Sequence, residues 1–224
     1  MTASPRRLTI AIDGPSGSGK GTVARSIADA LGYRHVDTGA MYRAVGWRAR
    51  QLGVALDDEA AVAAVAQRAT FSLDEGRVVI DGFDVTTAIR TPEIDRAASS
   101  VARLPAVRAT LVERQRALGA EGGIVMEGRD IGTVVFPEAD VKLFLDAAPE
   151  ERARRRANDP AHAGRQAGLD RVAVDMRARD ELDRTRAASP LVKAPDAVLI
   201  ETTGLPIEEV VRQALEIVRR TGDR

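Results

Sequence analysis

Apolar residues along this chain follow two periods in turn. Leu8-Thr9-Ile10-Ala11-Ile12 is a short, β-rich apolar run ending in Asp13-Gly14, the pattern of a strand buried on both faces of a parallel sheet. From residue 20 to 31 the spacing changes to 3.6. Val23, Ala24, Ile27, Ala28 and Leu31 share one helical face, and Gly32 closes it. A short strand near 34–36 follows. Three later runs, 123–126, 141–145 and 197–200, repeat the strand pattern, each trailed by polar or glycine residues and then a helical stretch. The last helix spans 207–220, with Pro206 at its start and Gly222 beyond its end. Five parallel strands alternating with helices predict a doubly wound α/β core.

The middle of the chain breaks this rhythm. Residues 60–68 are helical in pattern, and 70–73 and 77–80 flank Asp74-Glu75-Gly76 as a β-hairpin, with a second turn at Asp81-Gly82. Residues 94–116 read as helix interrupted near Pro105. A hairpin inside an α/β alternation predicts an inserted subdomain between the second and third core strands. The expectation is a single domain over 1–224, with a core of 7–36 and 103–222 and an insertion of 37–102.

Composition narrows the classes. A hydrophobic fraction of 44% supports a sizeable core and excludes intrinsic disorder. Acids and bases cancel at 33 each, so no overall field draws the chain to nucleic acid or membrane, and neither partner is expected. Cysteine is absent, which excludes a disulfide frame, a thiolate zinc site and a Cys nucleophile. Two histidines, His35 and His162, make a poor metal set. No run approaches the roughly 18–20 apolar residues of a membrane span. The opening residues carry two arginines before an apolar stretch too short for a signal peptide. A monomeric, cytoplasmic protein is expected. Of the 33 basic residues only Lys20, Lys142 and Lys193 are lysine. Arginine's planar fork suits phosphate recognition, although a GC-rich genome gives the same bias.

The strongest chemical signal is Gly14-Pro15-Ser16-Gly17-Ser18-Gly19-Lys20-Gly21-Thr22. Its spacing matches the phosphate loop G-x-x-x-x-G-K, and the required strand before and helix after are both predicted. Glycines let successive N–H groups curl around phosphate oxygens, the helix N-terminus adds partial positive charge, and Lys20 reaches the β and γ oxygens. The usual Ser or Thr after the lysine is replaced by Gly21, with Thr22 next, an ending that resembles nucleoside monophosphate kinases. No guanine-reading Asn-Lys-x-Asp occurs. Mg²⁺ is therefore expected to be held mainly by phosphates and water, with Thr22 as its candidate protein ligand.

Three further constellations point to an acceptor. Asp37-Thr38-Gly39-Ala40-Met41-Tyr42-Arg43 follows the second strand, where ligands sit in such folds, and its helix aims Arg43 back at the crevice. Gly128-Arg129-Asp130-Ile131-Gly132 follows the third strand. Arg129 can bind phosphate and Asp130 can accept from an exocyclic amine, or the two simply pair with neighbours. Arg179, Asp183 and Arg186 lie at i, i+4 and i+7, either a salt-bridged surface stripe or a nucleotide clamp. Finally Arg152, Arg154, Arg155 and Arg156 lead into a Gly/Ala-rich stretch, 158–168, like the mobile lid of phosphotransferases, about 152–170.

Together, the phosphate loop 14–22, the segment 37–43, the GRDIGTVV run 128–135 with Phe136-Pro137, and the segment 179–186 closely resemble the bacterial-type cytidylate (CMP/dCMP) kinase family. The resemblance implies a P-loop kinase transferring the γ-phosphoryl group of ATP to CMP or dCMP with Mg²⁺. It implies acceptor-phosphate ligands at Arg43, Arg129 and Arg186, with Lys20, Arg129 and Arg186 catalytic. It further implies cytosine readers at Ser99, Arg108 and Asp130, ribose contacts at Arg179 and Asp183, and a hydroxyl contact from Thr38. Rival readings are another kinase of this fold, acting on UMP, AMP or shikimate, and a P-loop nucleotide switch.

Overall fold

Residues 7–74, 76–159 and 168–222 are described by the computed structural model. The first half runs β1 (Thr9–Asp13), α1 (Lys20–Leu31), β2 (Arg34–Asp37), α2 (Thr38–Gln51), α3 (Glu59–Arg68), β3 (Phe71–Asp74), β4 (Arg77–Ile80) and β5 (Phe83–Asp84). The second runs α4 (Pro92–Val101), α5 (Pro105–Leu118), β6 (Ile124–Gly128), a π turn (Ile131–Val135), β7 (Val141–Asp146), α6 (Pro149–Asn158), α7 (Leu169–Thr185), β8 (Val198–Glu201) and α8 (Ile207–Gly222).

As the alternating pattern predicts, β1, β2, β6, β7 and β8 form a five-stranded parallel sheet in the order β2-β6-β1-β7-β8. The two-residue period of each strand sorts its side chains between two cores. Ile10, Ile12, Val125, Leu143 and Leu145 pack with Val23 and Ile27 of α1 and Val210 and Ala214 of α8. Ala11, Val36, Ile124 and Met126 face the other way, onto Met41 and Val45 of α2 and Val107 and Leu111 of α5. Ile10 and Ile12 are wholly buried, and removing each such side chain from water contributes about 2 kcal/mol.

Helix boundaries follow local chemistry. Asp37 caps α2 by accepting from the Ala40 N–H at 3.1 Å, and Asp58 caps α3 through Ala61 at 3.0 Å. Thr91 caps α4 and Pro92 opens it, while Pro105 opens α5, so the helix predicted to be interrupted near Pro105 is two helices. Gly32 ends α1 at φ +63°, accessible to glycine at little cost.

One sequence expectation is extended and another needs correction. The predicted hairpin is the first part of a three-stranded antiparallel sheet, β3-β4-β5, with Phe83 opposite Ile80. Arg186 does not continue the helical stripe of Arg179 and Asp183, because α7 stops at Thr185 and Arg186 turns extended (ψ 138°). Part of the predicted lid, 160–167, lies outside the described residues. Among the described residues no helix is long and apolar enough to cross a membrane.

Candidate active site

The carboxyl ends of β1, β2 and β6 open into one cleft of about 680 Å³. This is where the crevice of a doubly wound sheet is expected. Its floor is the phosphate loop. Gly17 and Gly19 adopt φ of +77° and +90°, which turns the loop around its own N–H groups. A Cβ at Gly17 would come within 2.7 Å of the Arg152 carbonyl oxygen, so the loop sits directly on α6. No side chain caps the N-terminus of α1, which leaves its first N–H groups and the positive end of its dipole facing the cleft. Lys20 Nζ donates to the Pro15 carbonyl at 3.1 Å, and burial together with the Arg129 charge lowers its pKa to about 7.

Opposite the loop, arginines and carboxylates interlock. Arg43 Nη2 donates to Asp37 at 2.6 Å. Burial alone would push the Asp37 carboxyl up, but Arg43, His35 and Lys20 together hold it at about 2. Arg129 Nε donates to Asp183 at 2.9 Å. Arg108 donates to Asp130 through Nη2 and stacks over the Tyr42 ring at 5.3 Å. Arg186 lies 3.8 Å from both Asp130 and Asp183. Asp95, on α4, pairs with Arg156 of α6 and with Arg179 of α7 at 3.4 Å.

These ion pairs leave donors unspent. Arg43 Nε, Arg108 Nε, Arg179 Nε and Arg186 Nη2 are buried without a hydrogen-bond partner among the described residues, and all four residues line the cleft. A buried donor with no acceptor costs about 1–3 kcal/mol. The four arginines that carry them stand around one cavity, a cationic wall that suits an oxygen-rich anion.

A family model described as cytidylate kinase matches residues 10–220 of this chain. The cytidylate kinase of Desulfitobacterium hafniense (strain Y51) is 51% identical over 215 residues, covering 95% of this chain and 93% of that protein. That of Geobacillus kaustophilus (strain HTA426) is 48% identical, covering 95% and 97%. The chain belongs to the cytidylate kinase family. A gluconokinase from Sinorhizobium meliloti 1021 shares the fold, with a TM-score of 0.51 at 17% identity over 98% of this chain and 96% of its own.

Most of the residues that the sequence singles out in this kinase meet at the cleft. Ser16, Gly17, Ser18, Gly19, Lys20, Gly21, Thr22, Thr38, Arg43, Ser99, Arg108, Arg129, Asp130, Arg179, Asp183 and Arg186 all line it. Gly14 and Pro15 lie behind the loop, where a Cβ on Gly14 would meet the Leu145 carbonyl at 2.1 Å. Thr38 donates its hydroxyl hydrogen to the Glu127 carbonyl at 2.7 Å, and Ser99 donates to the Asp95 carbonyl at 3.0 Å. The four lid arginines divide. Arg154, Arg155 and Arg156 line the cleft. Arg155 is tied to Thr202 at 2.9 Å and Arg154 to Glu151 at 2.8 Å. Arg152 lies outside the lining, buried beneath the loop, where it donates to Asp180 at 2.5 Å and to the Ser16 carbonyl at 3.2 Å.

Three acidic residues in or behind the cleft wall escape sequence reasoning, of which Glu127 lines the cavity. Asp13 ends β1 and Glu127 is the last residue but one of β6, with Glu127 Oε1 3.2 Å from His35 Nε2. An acid closing an apolar strand beside a glycine loop is the signal that could have found both. Asp95 carries no such signal, because it sits in an ordinary amphipathic helix.

Proposed function

We propose that this cleft transfers the γ-phosphoryl group of ATP to the phosphate of CMP or dCMP, giving ADP and CDP or dCDP. The observation that carries this reading is the set of arginines, Arg43, Arg108, Arg129, Arg179 and Arg186, that line one cavity together with a phosphate loop, in a chain of the cytidylate kinase family. ATP lies with its phosphates on 14–22 and Lys20. The acceptor occupies the opposite wall, with its phosphate on Arg43, Arg129 and Arg186, its ribose on Arg179 and Asp183, and its base before Ser99, Arg108 and Asp130. Thr38 orients it from the start of α2.

An acceptor phosphate oxygen is already anionic at neutral pH, so no general base is needed. Catalysis then rests on positioning and on neutralising two polyanions brought together. Lys20 and the arginines supply that neutralisation. Cytosine presents an amine to Asp130 where uracil presents a carbonyl, so the carboxylate favours one base and repels the other. The insertion 37–102 and the described part of the lid, α6, exclude water, with Arg154, Arg155 and Arg156 as its cations.

Among the described residues no three acids or histidines cluster to hold a metal alone. Thr22 lines the cleft beside Lys20, which fits a cation carried by phosphate oxygens and touched by one hydroxyl. Bound Mg²⁺ would add positive charge on the β and γ oxygens. A coupled ADP-release assay with CMP, dCMP, UMP and AMP tests the reading. Turnover with CMP and dCMP well above the other two supports it, and ATP hydrolysis indifferent to acceptor overturns it.

A further inference from the structure

An aspartate placed just before a helical turn ordinarily folds its own carboxylate over the first free N–H groups of that turn. Asp130 stands in that position ahead of the π turn, at φ −148° and ψ 26°, and makes no such bond. Its carboxylate points instead to Arg108 and toward Arg186. The first two N–H groups of the turn are nevertheless not orphaned. Asp13, at the end of β1, accepts from Ile131 N through Oδ1 and from Gly132 N through Oδ2, both at 2.8 Å. Asp13 is 4% exposed and directly precedes the phosphate loop.

We propose that Asp13 is a positioning residue that caps the turn in place of Asp130 and so holds the Asp130 carboxylate toward the acceptor. The inference rests on the reading of Asp130 as the group that faces the base. Without Asp13, two buried N–H groups lose their acceptors, and a cap residue's carboxylate is placed to take up the second of them, Gly132 N–H, which here would be that of Asp130. Drawing it back onto its own turn would strip it from Arg108 and from the base. Asp13 is also the residue next to Gly14, so a single carboxylate sets the register between the ATP cradle and the wall that selects the acceptor. Burial raises the Asp13 pKa to about 6 while the two N–H bonds oppose that rise, which agrees with a carboxylate retained for its two acceptors.

The test is a double-mutant cycle read on specificity. Asp13→Asn keeps the shape but turns an amide N–H₂ toward one of the two N–H groups. It should raise KM for CMP about tenfold, as expected for about 1.4 kcal/mol of lost interaction, and lower the CMP-to-UMP ratio of kcat/KM, with KM for ATP changed less than twofold. In an Asp130→Ala background the same substitution should leave that ratio where Asp130→Ala alone puts it. If the two losses multiply, or if Asp13→Asn raises both KM values equally, Asp13 does not act through Asp130 and the inference fails. If Asp130→Ala alone leaves the ratio untouched, the base-reading role fails and takes this inference with it. Should the asparagine variant not fold, Asp13→Ser, which keeps one acceptor without an opposing amide, is read in the same cycle.

Discussion

ATP binding to this kinase should take up a proton. In the nucleotide-free cleft, burial and the Arg129 guanidinium outweigh the pull of Glu127 and Asp37, and the Lys20 ammonium titrates near 7. At pH 8 a lysine with that pKa is about nine-tenths neutral. A triphosphate within hydrogen-bond reach of Nζ favours the charged form and returns the pKa toward the ordinary lysine range. The expected uptake is therefore about 0.9 proton per ATP at pH 8, falling to about half a proton at pH 7. Isothermal titration calorimetry at pH 8 in two buffers of different ionisation enthalpy, HEPES and Tris, measures it directly. Dividing the difference in apparent binding enthalpy by the difference in buffer ionisation enthalpy gives the proton number. Lys20→Met should bring it close to zero. Equal uptake by the two proteins, or none by the native one, would refute the argument. The same depressed pKa has a sign for stability. The unfolded chain binds this proton more tightly, so the Lys20 contribution to stability rises with pH between about 7 and about 10.5 and is lost again on acidification. Lys20→Met should flatten that part of the nucleotide-free stability profile.

Other substitutions have outcomes set by burial. Asp130→Ala should raise KM for CMP and weaken preference over UMP. It also strands Arg108, whose side chain is 4% exposed, so chemical denaturation should report a loss of about 3–5 kcal/mol. Gly17→Ala forces a left-handed backbone onto a side chain that meets the Arg152 carbonyl at 2.7 Å, and KM for ATP should rise at least about tenfold, the equivalent of about 1.4 kcal/mol. Arg152→Met leaves Asp180 buried without its cation. Thermal melting should register a loss of about 3 kcal/mol, while KM for CMP in the folded protein moves little.

Much of this was legible because the sheet is buried on both faces. Apolar runs such as 8–12 and 141–145 have one reading when glycine loops and helical periods follow them. β5 was not legible for the converse reason. It has two residues, Phe83 and Asp84, both exposed, so no buried face imprints an alternation. Periodicity also carried α7 one residue too far, since a helical pattern does not record that Arg186 N closes on the Leu182 carbonyl and the chain then turns away. The arginine run 152–156 shows what composition leaves out. Arg152 and Arg154 are equivalent in sequence, yet one is buried against Asp180 and the other is largely exposed. The difference lies in which helical face α7 covers. The motif residues were readable as types, but their pairings were not, because Arg129 with Asp183 joins positions 54 residues apart.

The crowding at Gly21 bears on how this enzyme would acquire a divalent cation. A Cβ there would lie 3.0 Å from a Glu127 carboxylate oxygen, and Glu127 is itself buried and held by His35. The position that gives many phosphate loops their metal-binding hydroxyl is thus filled from the neighbouring strand. A cation would enter as luggage of the incoming triphosphate and depart with the spent diphosphate. Chelators should accordingly leave the melting temperature of the empty protein untouched while abolishing turnover.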